Sequence, residues 1–343
     1  MKSKLRIVSF FFIVMLFLSV WGVLEIKSSI YPYATDVDYQ YDFINNSRFS
    51  QYEAELIEGS INLGAKDYSD HTVFIKLTVN SGYLGKYFQP SITLRTLNGS
   101  VVQYLEHGAE GIRYINISSL PLNKNTKVDL SSNLLSIENQ KVNIISFKND
   151  DLNKQKVLVI SPHPDDAEIA AFGLYSSNAN THIVTITAGD AGDYAYKNLY
   201  PDIKEHYLKV GELRTWNSIA VPLLGGIPPN QSINLGFFNG KLKEMYENQG
   251  EPVSGAYTGV FDINTFRKQN VSNLSLGLTG DSSWSSLVTN LVYLLKEIKP
   301  DVIVTPYPAL DSHSDHKYTT IALLEAIKQS KLETGSLYLY TNH

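Results

Sequence analysis

Histidine and aspartate, gathered in two short clusters far apart in the chain, are the residues best suited to chemistry. The first cluster reads Ser161-Pro162-His163-Pro164-Asp165-Asp166-Ala167-Glu168 and the second Asp311-Ser312-His313-Ser314-Asp315-His316. The spacing of His163 and Asp166 lets both side chains converge on one ion from a loop or the first turn of a helix. Pro162 and Pro164 stiffen that approach by fixing φ. Asp165 points elsewhere, so it can sit beside an ion without binding it, the position of a general base that draws a proton from activated water. A helix cap is the alternative reading for either aspartate. His313 and His316 are related by the same spacing, so one can bind the ion while the other faces a substrate; alone, the pair also reads as surface polar residues. Together, His163, Asp166 and His316 offer two imidazoles and a carboxylate, a hydrolytic zinc set that keeps a position for water. Ferrous iron accepts the same donors. The chain has no cysteine, which removes thiol catalysis, disulfides and thiolate zinc sites.

Such clusters act only if strands and helices hold them together. After the polar stretch Asn149-Asp150-Asp151, the pattern predicts strands over 157–160, 182–187, 302–305 and 336–340, and helices over 167–177, 204–220, 284–298 and 315–330. Apolar strands alternating with helices predict an α/β unit with a mainly parallel sheet and helices on both faces. Both clusters then fall just beyond a strand's carboxyl end, where such sheets collect functional groups. The stretch 222–281 reads as loop-rich. Before the linker, short alternating segments over 52–63, 72–79, 91–97, 100–105, 113–117 and 142–147 are separated by turn residues such as Asn98-Gly99-Ser100. They predict a small β-sandwich, which reads equally as a glycan-binding module or as a spacer.

At the N-terminus, Lys2, Lys4 and Arg6 precede an uncharged, mostly apolar run over 7–24. That length suits a transmembrane helix, and the preceding charges put the rest of the chain outside the cytoplasm. A cleaved signal peptide is the alternative. The expected organisation is therefore a cytoplasmic end and anchor over 1–26, an accessory β-sandwich over 27–150 and a catalytic unit over 151–343. A hydrophobic content of 43%, against 18% charged residues, is globular composition. The net charge of -5 and the lack of a basic cluster interleaved with aromatics leave no nucleic-acid footprint.

The segment Pro162-His163-Pro164-Asp165-Asp166-Ala167-Glu168, the run Thr187-Ala188-Gly189-Asp190-Ala191-Gly192, Arg214 within Gly-Glu-Leu-Arg, and Ser312-His313-Ser314-Asp315-His316 resemble the PIG-L / LmbE-like family of zinc-dependent N-acetylglucosaminyl deacetylases. The resemblance spans about residues 153–343 and none of the β-rich part. It implies a Rossmann-like fold, with His163, Asp166 and His316 as metal ligands, Asp165 as general base and His313 stabilising the oxyanion. It further implies that Asp315 orients His313, while Arg214 contacts substrate and Asp190 lines the substrate pocket. The implied substrate is an N-acetylated amino sugar in a glycan or glycolipid. A glycan-binding surface protein with an inactive scaffold, and a metal-dependent hydrolase of another amide or ester, are the alternatives. Ser314 and Asn217 stand where family members often carry proline and glutamate.

Overall fold

The computed structural model describes residues 12–23, 34–43, 48–332 and 335–342. The chain divides into two compact units, Met1–Asp150 and Asp151–His343. In the first, residues 12–23 form a helix, α1, with exposed apolar side chains such as Phe12 and Phe17. Among the described residues no helix is long and apolar enough to cross a membrane. The expected transmembrane helix over 7–24 is therefore not met there, and its remaining residues lie outside the described ones.

The β-rich part of this unit contains β1 (Phe49–Ile57), β2 (Ser60–Asn62), β3 (His71–Ser81), β4 (Ser91–Thr96), β5 (Gly99–Tyr104), β6 (Glu110–Asn116), β7 (Lys127–Asn133), β8 (Leu135–Ser136) and β9 (Gln140–Lys148). Instead of two separate sheets, they form one nine-stranded antiparallel sheet in the order β5-β4-β7-β2-β1-β9-β3-β6, with β8 on β3. Glu58 and Gly59, both at positive φ, turn what reads as one strand over 52–63 into the β1–β2 hairpin. Ile61, Ile92, Leu94 and Val128 from one half of the ladder share a core with Val73, Ile75, Val142 and Ile144 from the other. Strands from both halves of the continuous sheet thereby contribute to one apolar interior.

The second unit is a five-stranded, all-parallel sheet of β10 (Val157–Ser161), β11 (Thr181–Thr187), β12 (Ser232–Phe237), β13 (Val302–Pro306) and β14 (Ser336–Tyr340), in the order β12-β11-β10-β13-β14. Its helices are α2 (Asp166–Tyr175), α3 (Ile203–Ala220), α4 (Leu242–Glu247), α5 (Asn264–Arg267), α6 (Trp284–Ile298) and α7 (Ser314–Ser330). Strand β10 is buried throughout, and its pleat splits it between two cores. Val157 and Val159 pack with Ala167, Ala171 and Tyr175 of α2, while Leu158 and Ile160 share a core with Leu287 and Leu291 of α6 and Leu323 of α7. Helices cover both faces, as the pattern predicts. From β10 the chain steps outward to β11 and β12, then returns to β13 on the opposite side of β10. The gap between β10 and β13 is thus a topological switch point, the place where such sheets open a crevice beyond their carboxyl ends. Both clusters are delivered to it.

Candidate active site

His163 lies in the turn that leaves β10, and Asp166 opens α2. His313 caps α7, which places His316 one turn inside it. Three atoms from these two loops meet. Oδ2 of Asp166 lies 3.2 Å from Nδ1 of His163 and 3.1 Å from Nε2 of His316, and the two ring nitrogens are 3.2 Å apart. Donors about 2.1 Å from a tetrahedral zinc ion stand about 3.4 Å from one another, so this triangle has nearly the edge length that an ion imposes. His313 belongs to the same group more loosely, with ring nitrogens of all three histidines within 4.8 Å of one another.

The outer atoms of each donor are also held. Nε2 of His163 meets Oδ2 of Asp315 at 3.2 Å, and Nδ1 of His316 meets Oδ2 of Asp311 at 2.7 Å. When a ring is neutral and its far nitrogen donates to the carboxylate, the near nitrogen is left with a lone pair for the triangle; such a carboxylate–histidine pair fixes the tautomer and raises the basicity of a ligand. Oδ1 of Asp166 accepts from the side-chain amide of Asn342 at 2.8 Å, and its Oδ2 accepts the amide of His163 at 2.9 Å.

The carboxylates buried around the triangle also call for positive charge. Asp166, Asp311 and Asp315 are at most 1% exposed, which demands compensation for three buried carboxylates. Their hydrogen-bond partners are imidazoles, backbone amides and Asn342, with no lysine or arginine among the described residues. Burial opposes charge on His163, but its hydrogen bonds to Asp166 and Asp315 outweigh burial and raise the ring to about 9. Burial likewise opposes ionisation of Asp166, yet His163 and His316 hold it far below the ordinary carboxylate range. The site draws in positive charge, and its donor set fits a divalent metal ion.

Asp165 stands apart from the triangle. Its side chain is 54% exposed and accepts from Nη2 of Arg214 at 3.0 Å, and it makes no side-chain cap to α2. Arg214, on α3, reaches it across Gly189, whose missing Cβ would lie 3.0 Å from the guanidinium Nε. The arginine expected on substrate is thus bonded to the expected base.

Two further placements differ from expectation. The side chain of Asp315, expected to orient His313, bonds His163 and the amides of Gly240 (2.6 Å) and Leu242 (3.2 Å); only its backbone N–H reaches Nδ1 of His313, at 3.2 Å. Asp190, expected to line the pocket, is 1% exposed. Its Oδ1 accepts the Asn239 amide at 2.8 Å, and Oδ2 is buried without a hydrogen-bond partner among the described residues. Burial, reinforced by the nearby charge of Asp315, pushes its carboxyl up to about 6. Sequence reasoning gave no role to Asp311, Asn342 or Gly240. Asp311 had a signal, since a metal-ligating histidine asks for a carboxylate on its other nitrogen; the other two had none.

The second unit is therefore of the class that builds a divalent-cation donor set at the switch point of a parallel α/β sheet. A family model described as PIG-L, GlcNAc-PI de-N-acetylase, matches residues 158–327, and this part of the chain belongs to the PIG-L family. No curated protein matches the chain. Among solved structures, the chain is similar to the conserved protein TT1542 from Thermus thermophilus, at 19% identity over 55% of this chain and 67% of that one, with a TM-score of 0.31. It is also similar to GalB, the 4-carboxy-2-hydroxymuconate hydratase from Pseudomonas putida, at 16% identity over 50% of this chain and 55% of that one, with a TM-score of 0.31.

Proposed function

We propose that this protein hydrolyses the acetamide of an N-acetylated amino sugar, releasing acetate and a free amine. The observation that carries the reading is the closed triangle of His163, Asp166 and His316, with Asp315 and Asp311 behind its two imidazoles. Those three residues would hold a zinc or ferrous ion. A divalent ion bound there supplies Lewis acidity, polarising the acetamide carbonyl and lowering the pKa of adjacent water to about 7.

The remaining work falls to the chain's own residues. Asp165, exposed and steadied by Arg214, takes a proton from the attacking water as its oxygen bonds to the carbonyl carbon. Because Nδ1 of His313 accepts the Asp315 amide, a neutral His313 carries its ring proton on Nε2. That N–H stabilises the negative charge growing on the carbonyl oxygen. The C–N bond then breaks as the nitrogen receives from Asp165 the proton that Asp165 took from the water, leaving acetate and the free amine. Buried ligands beside an exposed Asp165 support a substrate that presents its acetamide at the rim, as an N-acetylhexosamine unit of a glycan or glycolipid does.

Acetate release from a panel of N-acetylglucosamine glycans and glycolipids, by zinc-loaded wild type and Asp165→Ala, tests the activity. Release by wild type and its loss in the variant are expected. No release from any member of the panel, or equal release by both proteins, would end the reading. We further place the catalytic unit outside the cytoplasm, on the ground that Lys2, Lys4 and Arg6 precede the apolar run over 7–24. Protease accessibility in intact cells tests that placement, and full protection of the catalytic unit would count against it.

A further inference from the structure

We infer that Asp190 is a positioning residue for the metal site, acting on His163 through the turn at Asn239–Gly240 and through Asp315. The inference rests on the proposed metal-binding role of the triangle. Its geometry is a chain of short contacts. Oδ1 of Asp190, just beyond β11, accepts the amide of Asn239 at 2.8 Å. The next amide along, that of Gly240, donates to Oδ2 of Asp315 at 2.6 Å. The same Oδ2 meets Nε2 of His163 at 3.2 Å. Two successive N–H groups thus address two carboxylates from different parts of the fold. Gly240 has φ at +76°, a left-handed backbone that L side chains rarely adopt, and this bend belongs to the turn that presents both donors.

Asp190 is itself immobilised. A Cβ on Gly211 of α3 would lie 2.9 Å from Cβ of Asp190, and a Cβ on Gly255 would lie 3.0 Å from its Oδ2. Both neighbours press on the aspartate at places where only glycine leaves room. The side-chain amide of Asn239 adds a second tie, donating to the Ala191 carbonyl at 3.3 Å. Buried on every side, Asp190 has no surface to offer a substrate. Its single hydrogen bond fixes the turn, and the turn supplies Asp315 with an amide donor that keeps the carboxylate aimed at His163. Loss of that aim frees the imidazole to rotate and to change tautomer, which weakens the ligand.

Zinc affinity of the full-length chain, measured by competition with a chromophoric chelator after metal stripping, tests the inference without reference to turnover. Asp190→Ala should measurably weaken zinc binding, by no more than the roughly tenfold to hundredfold that follows loss of a ligand's own hydrogen-bond partner. Asp190→Asn keeps the acceptor for Asn239 and should bind zinc close to wild type. Because Asp190 acts through Asp315, Asp190→Ala combined with Asp315→Asn should lose no more affinity than Asp315→Asn alone. If Asp190→Ala does not fold, Asp190→Leu removes the acceptor while filling the space. Unchanged zinc affinity in Asp190→Ala or Asp190→Leu, with only a lower unfolding midpoint, would reduce Asp190 to a structural residue. Additive losses in the double variant would refute the route through Asp315. A wild-type chain that binds zinc normally while either result holds leaves the metal site standing; one that binds none removes both.

Discussion

Nδ1 of His316 lies 2.7 Å from Oδ2 of Asp311, with both side chains buried. This contact decides which ring nitrogen faces Asp166 and His163. Asp311 also accepts the amide of His313 at 3.0 Å. Although burial opposes ionisation of Asp311, that bond and the one to His316 hold its carboxyl below the ordinary range. Asp311→Asn keeps the shape but can offer its amide N–H to Nδ1, which would turn the ring proton toward the triangle. We predict a loss of roughly tenfold to a hundredfold in zinc affinity, read by chelator competition, with the far-ultraviolet circular dichroism unchanged.

Asp165 should behave in the opposite way. Asp165→Asn should lower kcat by roughly a hundredfold to ten-thousandfold and leave bound zinc at the wild-type level. Its ion pair with Arg214 involves a side chain that is 54% exposed, so the unfolding free energy should move by less than about 1 kcal/mol. Paired metal analysis, steady-state kinetics and urea unfolding separate these three effects.

Asp190 gives a pH signature. Its folded carboxyl, pushed up to about 6 by burial from an ordinary 3.8, stays protonated where the unfolded chain has ionised. The resulting cost to stability is absent below about pH 4, grows between about pH 4 and pH 6, and is constant above that range, at up to about 3 kcal/mol. Asp190→Asn should therefore be more stable than wild type at pH 8. That advantage should vanish by about pH 4. Thermal unfolding of both proteins across this window, on the metal-free chain, checks the sign.

Gly211 lies inside α3, where alanine would ordinarily favour the helix by about 1 kcal/mol. Here a Cβ would stand 2.4 Å from the Phe266 ring and 2.9 Å from Cβ of Asp190. Overpacking of about 1–3 kcal/mol should prevail. Gly211→Ala should unfold at lower urea than wild type.

The parts legible in the sequence were those governed by local pattern. Apolar strands such as Val157–Ser161 and the well-bounded helix Trp284–Ile298 carry their signal within a few residues. The run Ser232–Phe237 was hidden because Asn234 and Gly236 interrupt it, although all six residues are buried. Asn234 is accommodated there by bonds to Thr187 and Ser218, which no local pattern announces. Strand Lys127–Asn133 was likewise masked by Asp129 and its serines. In the site, His163, Asp166 and His316 could be named because strand ends bring the two clusters together. The direction of the Asp315 side chain could not, since it depends on Gly240 and Leu242 from a distant loop-rich stretch.

In the function we propose, Nδ1 of His163, Oδ2 of Asp166 and Nε2 of His316 grip one divalent ion. Metal content per chain, measured by plasma mass spectrometry on purified wild type, His316→Ala and Asp166→Ala after equilibration with zinc, tests it most directly. We predict one equivalent in wild type and almost none in either variant. A wild-type chain without tightly held metal, or a His316→Ala chain that keeps its full equivalent, would show that these three residues do not form a metal site.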